Sequence, residues 1–267
     1  MLGKLLKYEI KSTARIFLPL YPVILVLALL NKILFVAVDS NISFLQIPTA
    51  ISVVIYAFMV VAVFVITFIV TIQRFYKNLV GEEGYLMFTL PVKESSLIFS
   101  KLIVATMWYI GSILITFISI FIMLPSYDFI KQMPQVLDLV NQQFMVAVGM
   151  DLGLFFAEIL VTLFIGIIVG ALMIYAAIAI GHLANRNRIL CSFGAFLGLS
   201  IIAQTIQMIV ISILSKNLFH VAAFESDIVP AGLMQTMLLT AVIIEVILGI
   251  GYFFVTKVIL SKKLNLE

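Results

Sequence analysis

Six long apolar runs dictate what this 267-residue chain can become. They occupy residues 16–38, 48–72, 102–124, 152–180, 189–214 and 233–256, and each reaches the roughly 20 residues that a helix needs to cross about 30 Å of hydrocarbon. A β-barrel could also span lipid, but its strands alternate apolar and polar residues, and these runs do not. Only 11% of the residues are charged and 64% are hydrophobic, too few charges to cover a water-soluble surface. The expected fold is all-α: a polytopic membrane protein with six transmembrane helices, forming one transmembrane domain over 1–267. Pro19 and Pro22 are expected in the first turns of the first span, where proline costs a helix least.

Lysine and arginine set the expected orientation. Lys4, Lys7, Lys11, Arg15, Arg74, Lys77, Lys93, Lys101, Arg186, Arg188, Lys257, Lys262 and Lys263 fall on one side of the six runs. Only Lys32, Lys131 and Lys216 fall on the other. The positive-inside rule then places both termini in the cytoplasm and the chain in the plasma membrane as a multi-pass protein. A cleavable leader is not expected, because the first apolar run is long enough to span and no small-residue cleavage site follows it.

Residues 1–15 are expected to form an amphipathic helix along the membrane surface. At 100° per residue, Leu2, Leu5, Leu6, Ile10 and Thr13 share one side and Lys4, Lys7, Lys11 and Arg15 cluster opposite. Such a helix buries its apolar face at the headgroup boundary and brings its cations to anionic lipid. Glu9 falls on the apolar side and calls for a polar partner.

The cytoplasmic loop 73–101 is the most distinctive segment. Gly81 and Gly84 bracket the acidic pair Glu82-Glu83, the aromatic-rich run Tyr85-Leu86-Met87-Phe88 follows, and Pro91 stops it. Glu94 or Ser95 is expected to cap the helix that enters the third span. The run is too apolar to stand free in water and too short to span, so it needs the membrane interface or a protein partner.

The stretch Glu82-Glu83-Gly84-Tyr85-Leu86-Met87-Phe88-Thr89-Leu90-Pro91-Val92, with Ser100-Lys101 ahead of the third span, resembles the corresponding loop of type-2 ABC transporter permeases. The nearest likeness is to the short six-span permeases of Gram-positive bacteria. The opening Met1-Leu2-Gly3-Lys4-Leu5-Leu6-Lys7-Tyr8-Glu9 and Phe17-Leu18-Pro19-Leu20 resemble the same group. The resemblance implies that 1–15 is an interfacial elbow and that the loop docks on an ATPase subunit through Glu82, Glu83, Tyr85, Phe88 and Leu90. It also implies a second permease subunit, identical or paralogous, and the export of peptides, antimicrobials or other amphipathic molecules. Residues 215–232 depart from the family, in which many members carry two short re-entrant helices there.

No Gly-x-x-x-x-Gly-Lys phosphate loop occurs in the chain, so any ATP is expected on a separate polypeptide. No zinc motif or nucleophile setting is present either, and neither enzymatic activity, a cofactor nor a nucleic-acid partner is expected. The alternative function is a non-transporting membrane protein, such as an immunity factor or sensor, acting through protein interactions.

Within the spans, Glu158 and Glu245 stand out. A charge at the bilayer centre costs about 2.5–3.5 kcal/mol on insertion scales, so such residues face protein or water. With Gln204 and Gln207 they form candidate lining for an outward-opening path. The other reading is interhelical hydrogen bonding that sets packing, with one carboxylate protonated. The pairs Gly149/Gly153, Gly166/Gly170 and Gly194/Gly198 have the spacing of close helix contacts, and those in the fourth and fifth spans suggest that these helices pack tightly together or across a subunit boundary. Ser112 and Ser200 read as packing residues. Cys191, the single cysteine, reads as a small core residue and excludes a disulfide framework within the chain.

Overall fold

The computed structural model describes residues 2–39, 43–81, 93–124, 127–184, 187–222 and 233–262. Among these residues the chain is all-α, with seven α-helices and no strand. They are α1 (Leu2–Asp39), α2 (Gln46–Phe75), α3 (Glu94–Met123), α4 (Tyr127–Val148), α5 (Leu152–Gly181), α6 (Arg188–Ala222) and α7 (Leu233–Lys262). All but α4 contain a stretch long and apolar enough to cross a membrane. A 3-10 turn, Ser43–Leu45, leads into α2, and a π-helical turn, Tyr76–Val80, ends it. The helices group into two compact units, Met1–Tyr127 and Asp128–Asn265.

In unit 1, α1 packs on α2 and α3. The 38-residue α1 is continuous, so the amphipathic stretch 1–15 and the first span are one helix rather than an elbow followed by a span. The cause is a single buried stripe: Glu9, Thr13, Phe17, Ile24, Ala28 and Asn31 recur at three- to four-residue multiples and are all buried. Half-buried Leu2, Leu5, Leu6 and Ile10 extend that stripe toward the first turn, while Lys4, Lys7, Lys11 and Arg15 are exposed, as the wheel requires. Pro19 and Pro22 therefore lie inside α1, not in its first turns. Each removes one backbone donor, leaving the carbonyls of Arg15 and Leu18 without their usual partners. Ile24 and Ala28 meet Tyr56 and Val63 of α2 at the centre of the unit.

Helix α3 begins at Glu94 with an extended, uncapped Lys93 before it. Glu94 is thus a first-turn residue rather than the cap; its carboxylate favours the helix through the dipole.

In unit 2, α5 packs on α6 and α7. The last turns of α5 are buried nearly all round: Ala171, Leu172, Ile174, Tyr175, Ala176, Ala177, Ile178 and Ala179. Helix α6 has no buried residue between Arg188 and Leu214. Cys191, expected in the core, is exposed on it for that reason.

Helix α4 was not foreseen. Its 22 residues include Pro134 and several amides, so no spanning run announces it, yet Val136, Leu137, Leu139, Val140, Met145 and Val146 leave apolar surface exposed. It folds back onto α5 through Gly149, whose φ of 70° a side chain would strain. The joint is closed by Phe144 and Phe155, with ring centroids 4.9 Å apart.

Of the paired glycines only Gly166 lies against another helix, under the Glu245 carboxylate of α7. Gly170, Gly194 and Gly198 face open space, and Gly149 makes the turn before α5. Close approach occurs instead at Gly181, which sits against Ser192 of α6, and at Gly249, where an added Cβ would lie 2.9 Å from Val169 of α5.

Candidate functional site

Two sets of polar groups lie in the apolar helices. The first is a seam in unit 1 at the base of the segment 82–92. It begins at Lys101 on α3, which is 4% exposed and forms an ion pair with Glu9 of α1 at 2.5 Å. A charge buried alone would be costly, and the pair removes that cost only where further hydrogen bonds complete it. Asn78, buried in the π turn after α2, supplies one. Its amide is assigned the orientation that satisfies both ends: the oxygen accepts from Lys101 Nζ at 3.2 Å and the nitrogen donates to the Arg74 carbonyl at 3.3 Å. The π turn is where an inserted residue rotates the helix end, bringing Asn78, Leu79 and Val80 inward together. Glu9, which the sequence left without an explanation, is thereby the partner of a lysine 92 residues away.

The seam continues along α1 and α3. Trp108 Nε1 donates to Thr13 Oγ1 at 2.7 Å, and Thr13 donates in turn to the Glu9 carbonyl at 2.8 Å. Phe17 stacks on Trp108 with centroids 4.4 Å apart. One turn further, Ser112 is fully buried between the Tyr21 hydroxyl at 3.2 Å and Thr67 Oγ1 at 3.1 Å, so one serine joins all three helices. Ser112, expected only to pack, is a hydrogen-bonding junction. Tyr56 and Ser119 hydrogen-bond at 2.7 Å nearer the other end. Spacing within one helix gives no sign of the bonds between helices, because each of those joins residues at least 45 positions apart.

The second set is in unit 2. Glu158 lies on α5 and Glu245 on α7, two helices that pack together. The Glu245 carboxylate occupies the notch over Gly166, with its oxygens 3.8 and 3.9 Å from where a Cβ would stand. One carboxylate oxygen of each glutamate is buried without a hydrogen-bond partner among the described residues. Gln204 is exposed and Gln207 half-buried, both on α6, and neither hydrogen-bonds to a glutamate. The four candidate lining residues are thus not gathered into one hydrogen-bonded site. Thr162 donates to the Glu158 carbonyl at 2.8 Å, which occupies the backbone but leaves the carboxylate unaided.

Asp151 caps α5 at the mouth of this unit. Its Oδ2 accepts from the backbone of Gly153 at 2.8 Å and Leu154 at 3.3 Å, and Asn141 of α4 donates to Oδ1 at 3.0 Å. The Asn141 amide, followed by the two backbone donors, holds this carboxyl below the ordinary carboxylate range. His182, at the far end of α5, is held below the usual histidine range by burial.

The docking residues Glu82, Glu83, Tyr85, Phe88 and Leu90 lie outside the described residues, as does most of 215–232. No group of His, Cys, Asp and Glu able to hold a metal ion occurs among the described residues. No family model, curated protein or solved structure matches the chain.

Proposed function

We propose that the chain is the membrane-spanning subunit of an ATP-driven exporter of the type-2 ABC class, working beside a second permease subunit and separate ATPase subunits. The segment 82–92 is the docking element, with Glu82, Glu83, Tyr85, Phe88 and Leu90 as its contacts, and the termini are cytoplasmic. The substrates are peptides, antimicrobials or other amphipathic molecules, and Glu158 and Glu245 line their route. The observation that carries this reading is the seam of Lys101, Glu9 and Asn78. A loop pushed by a motor transmits force only if both its roots are held. Here the π turn before the loop and the helix after it are fastened to each other and to α1 inside the protein.

The test is co-purification from the native membrane. Replacing Tyr85 and Phe88 together by Ala, or Glu82 and Glu83 together by Lys, is expected to lower recovery of the ATPase at least tenfold while membrane abundance stays constant. Unchanged recovery in both variants would break the docking assignment. Recovery of the intact wild-type chain with no ATPase at all would favour the non-transporting alternative. A single cysteine at position 83 that reacts with an impermeant reagent in intact cells would overturn the orientation.

A further inference from the structure

We infer that unit 1 carries a built site for the phosphate of an anionic lipid, at the end of α1 and α2 where their basic residues gather. Tyr8, Lys11, Ser12 and Arg15 of α1 and Arg74 of α2 line one open cleft of about 440 Å³. Three cations from two helices converge there, and among the described residues no acid lines it. None of the three forms an ion pair among the described residues, and the nearby acid of α1, Glu9, is turned to the opposite side and held by Lys101. Like charges brought together in this way repel unless an anion lies among them. A phosphate answers this geometry: guanidinium groups present paired donors to its oxygens, the ammonium adds a point charge, and the Tyr8 and Ser12 hydroxyls add further donors.

The stripe of α1 above the cleft decides between a free phosphate and a lipid. Lys11 and Arg15 are followed at helical spacing by Leu18, Pro22 and Val26, all exposed, Leu18 by 63% and Val26 by 55%. From Arg15 to Val26 the helix rises about 16 Å. That is about half of a hydrocarbon core roughly 30 Å thick, the depth of one leaflet. A ligand that fits cleft and stripe together has an anionic head and a chain of that length. A free phosphate uses only the cleft.

Native mass spectrometry of the purified full chain in neutral detergent, titrated with dioleoylphosphatidylglycerol or dioleoylphosphatidylcholine, tests the site. The anionic lipid is expected to be retained at a concentration at least tenfold lower than the zwitterionic one. At about fivefold per basic side chain near a membrane surface, replacing Lys11, Arg15 and Arg74 together by Gln should weaken retention on the order of a hundredfold. Replacing the exposed Lys4, Lys7 and Lys93 by Gln removes the same charge from outside the cleft and should leave the preference in place. Lys11→Arg with Arg74→Lys should preserve it, and thermal unfolding of each variant confirms that it is folded. Equal weakening in the two triple variants would mean diffuse surface charge and overturn the site. Displacement of the lipid by millimolar inorganic phosphate would assign the cleft to a free anion and overturn the lipid. Equal retention of both lipids by the wild-type chain would overturn it as well.

Discussion

The two units are built from similar lengths of apolar helix, yet they hold their helices together differently. In unit 1 the contacts between helices are fastened by polar side chains that bond one another: Glu9 with Lys101, Thr13 with Trp108, Ser112 with Tyr21 and Thr67, Tyr56 with Ser119, while Glu9 Oε1, Asn31 Oδ1 and Thr106 Oγ1 stay buried without a partner among the described residues. In unit 2 the contact of α5 with α7 includes Gly249 against Val169 and the Glu245 carboxylate over Gly166, and Glu158 and Glu245 each keep one buried oxygen without a partner among the described residues. Lipid is as apolar as a leucine, so apolar contact alone gives little reason for one helix rotation over another. Paired hydroxyls and charges give that reason, because any other register strands them. Unit 1 joins its helices through polar pairs along the seam; in unit 2 the carboxylates of Glu158 and Glu245 each keep one buried oxygen without a hydrogen-bond partner among the described residues.

The comparison breaks most visibly at Lys101. Lys101→Met leaves Glu9 buried without its counter-charge and is expected to cost about 3–5 kcal/mol, read as lost folded chain in detergent melts. Glu9→Leu combined with Lys101→Met should recover most of that loss. A double variant as unstable as the single one would show that the pair is not what joins α1 to α3. A smaller effect is expected at Tyr56→Phe, which removes the bond to Ser119 at constant shape and should cost about 0.6 kcal/mol, the usual size of such a bond between membrane helices. The smallest stability effect is expected in unit 2. Glu245→Leu strands no donor, so the melting temperature should stay level or rise. A loss above about 1 kcal/mol would reveal a structural partner and place Glu245 with the seam of unit 1. Glu245→Gln separates function from packing: equal abundance with altered efflux keeps the residue in the path, and wild-type efflux over the wild-type substrate range removes it.

The spans were legible because an apolar run is a property of consecutive residues. The fourth is read as 152–180 and found as Leu152–Gly181, and the basic and apolar faces of α1 are found where the wheel puts them. What depends on distant residues was not legible. Nothing near Glu9 indicates a lysine 92 positions on, and Ser112 looks like any lone hydroxyl in an apolar helix. The helix expected over 1–15 continues without interruption into the first span, because the buried stripe runs on from Glu9 to Asn31. Helix α4 was hidden because its apolar residues alternate with amides and its proline reads as a stop. Within the chain the close approaches are made by single glycines, Gly181 against Ser192 and Gly249 against Val169, which a pairwise spacing does not reveal.

The length of α1 has a mechanical consequence. At about 1.5 Å per residue its 38 residues make a rod of about 57 Å, nearly twice the thickness of the hydrocarbon it crosses. Near one end Glu9 ties it beside the roots of the segment 82–92, and farther along Phe17, Tyr21, Ile24 and Ala28 hold it against α2 and α3. Pro19 and Pro22, three residues apart, each remove one backbone hydrogen bond about midway along the helix, which makes that stretch its most compliant point.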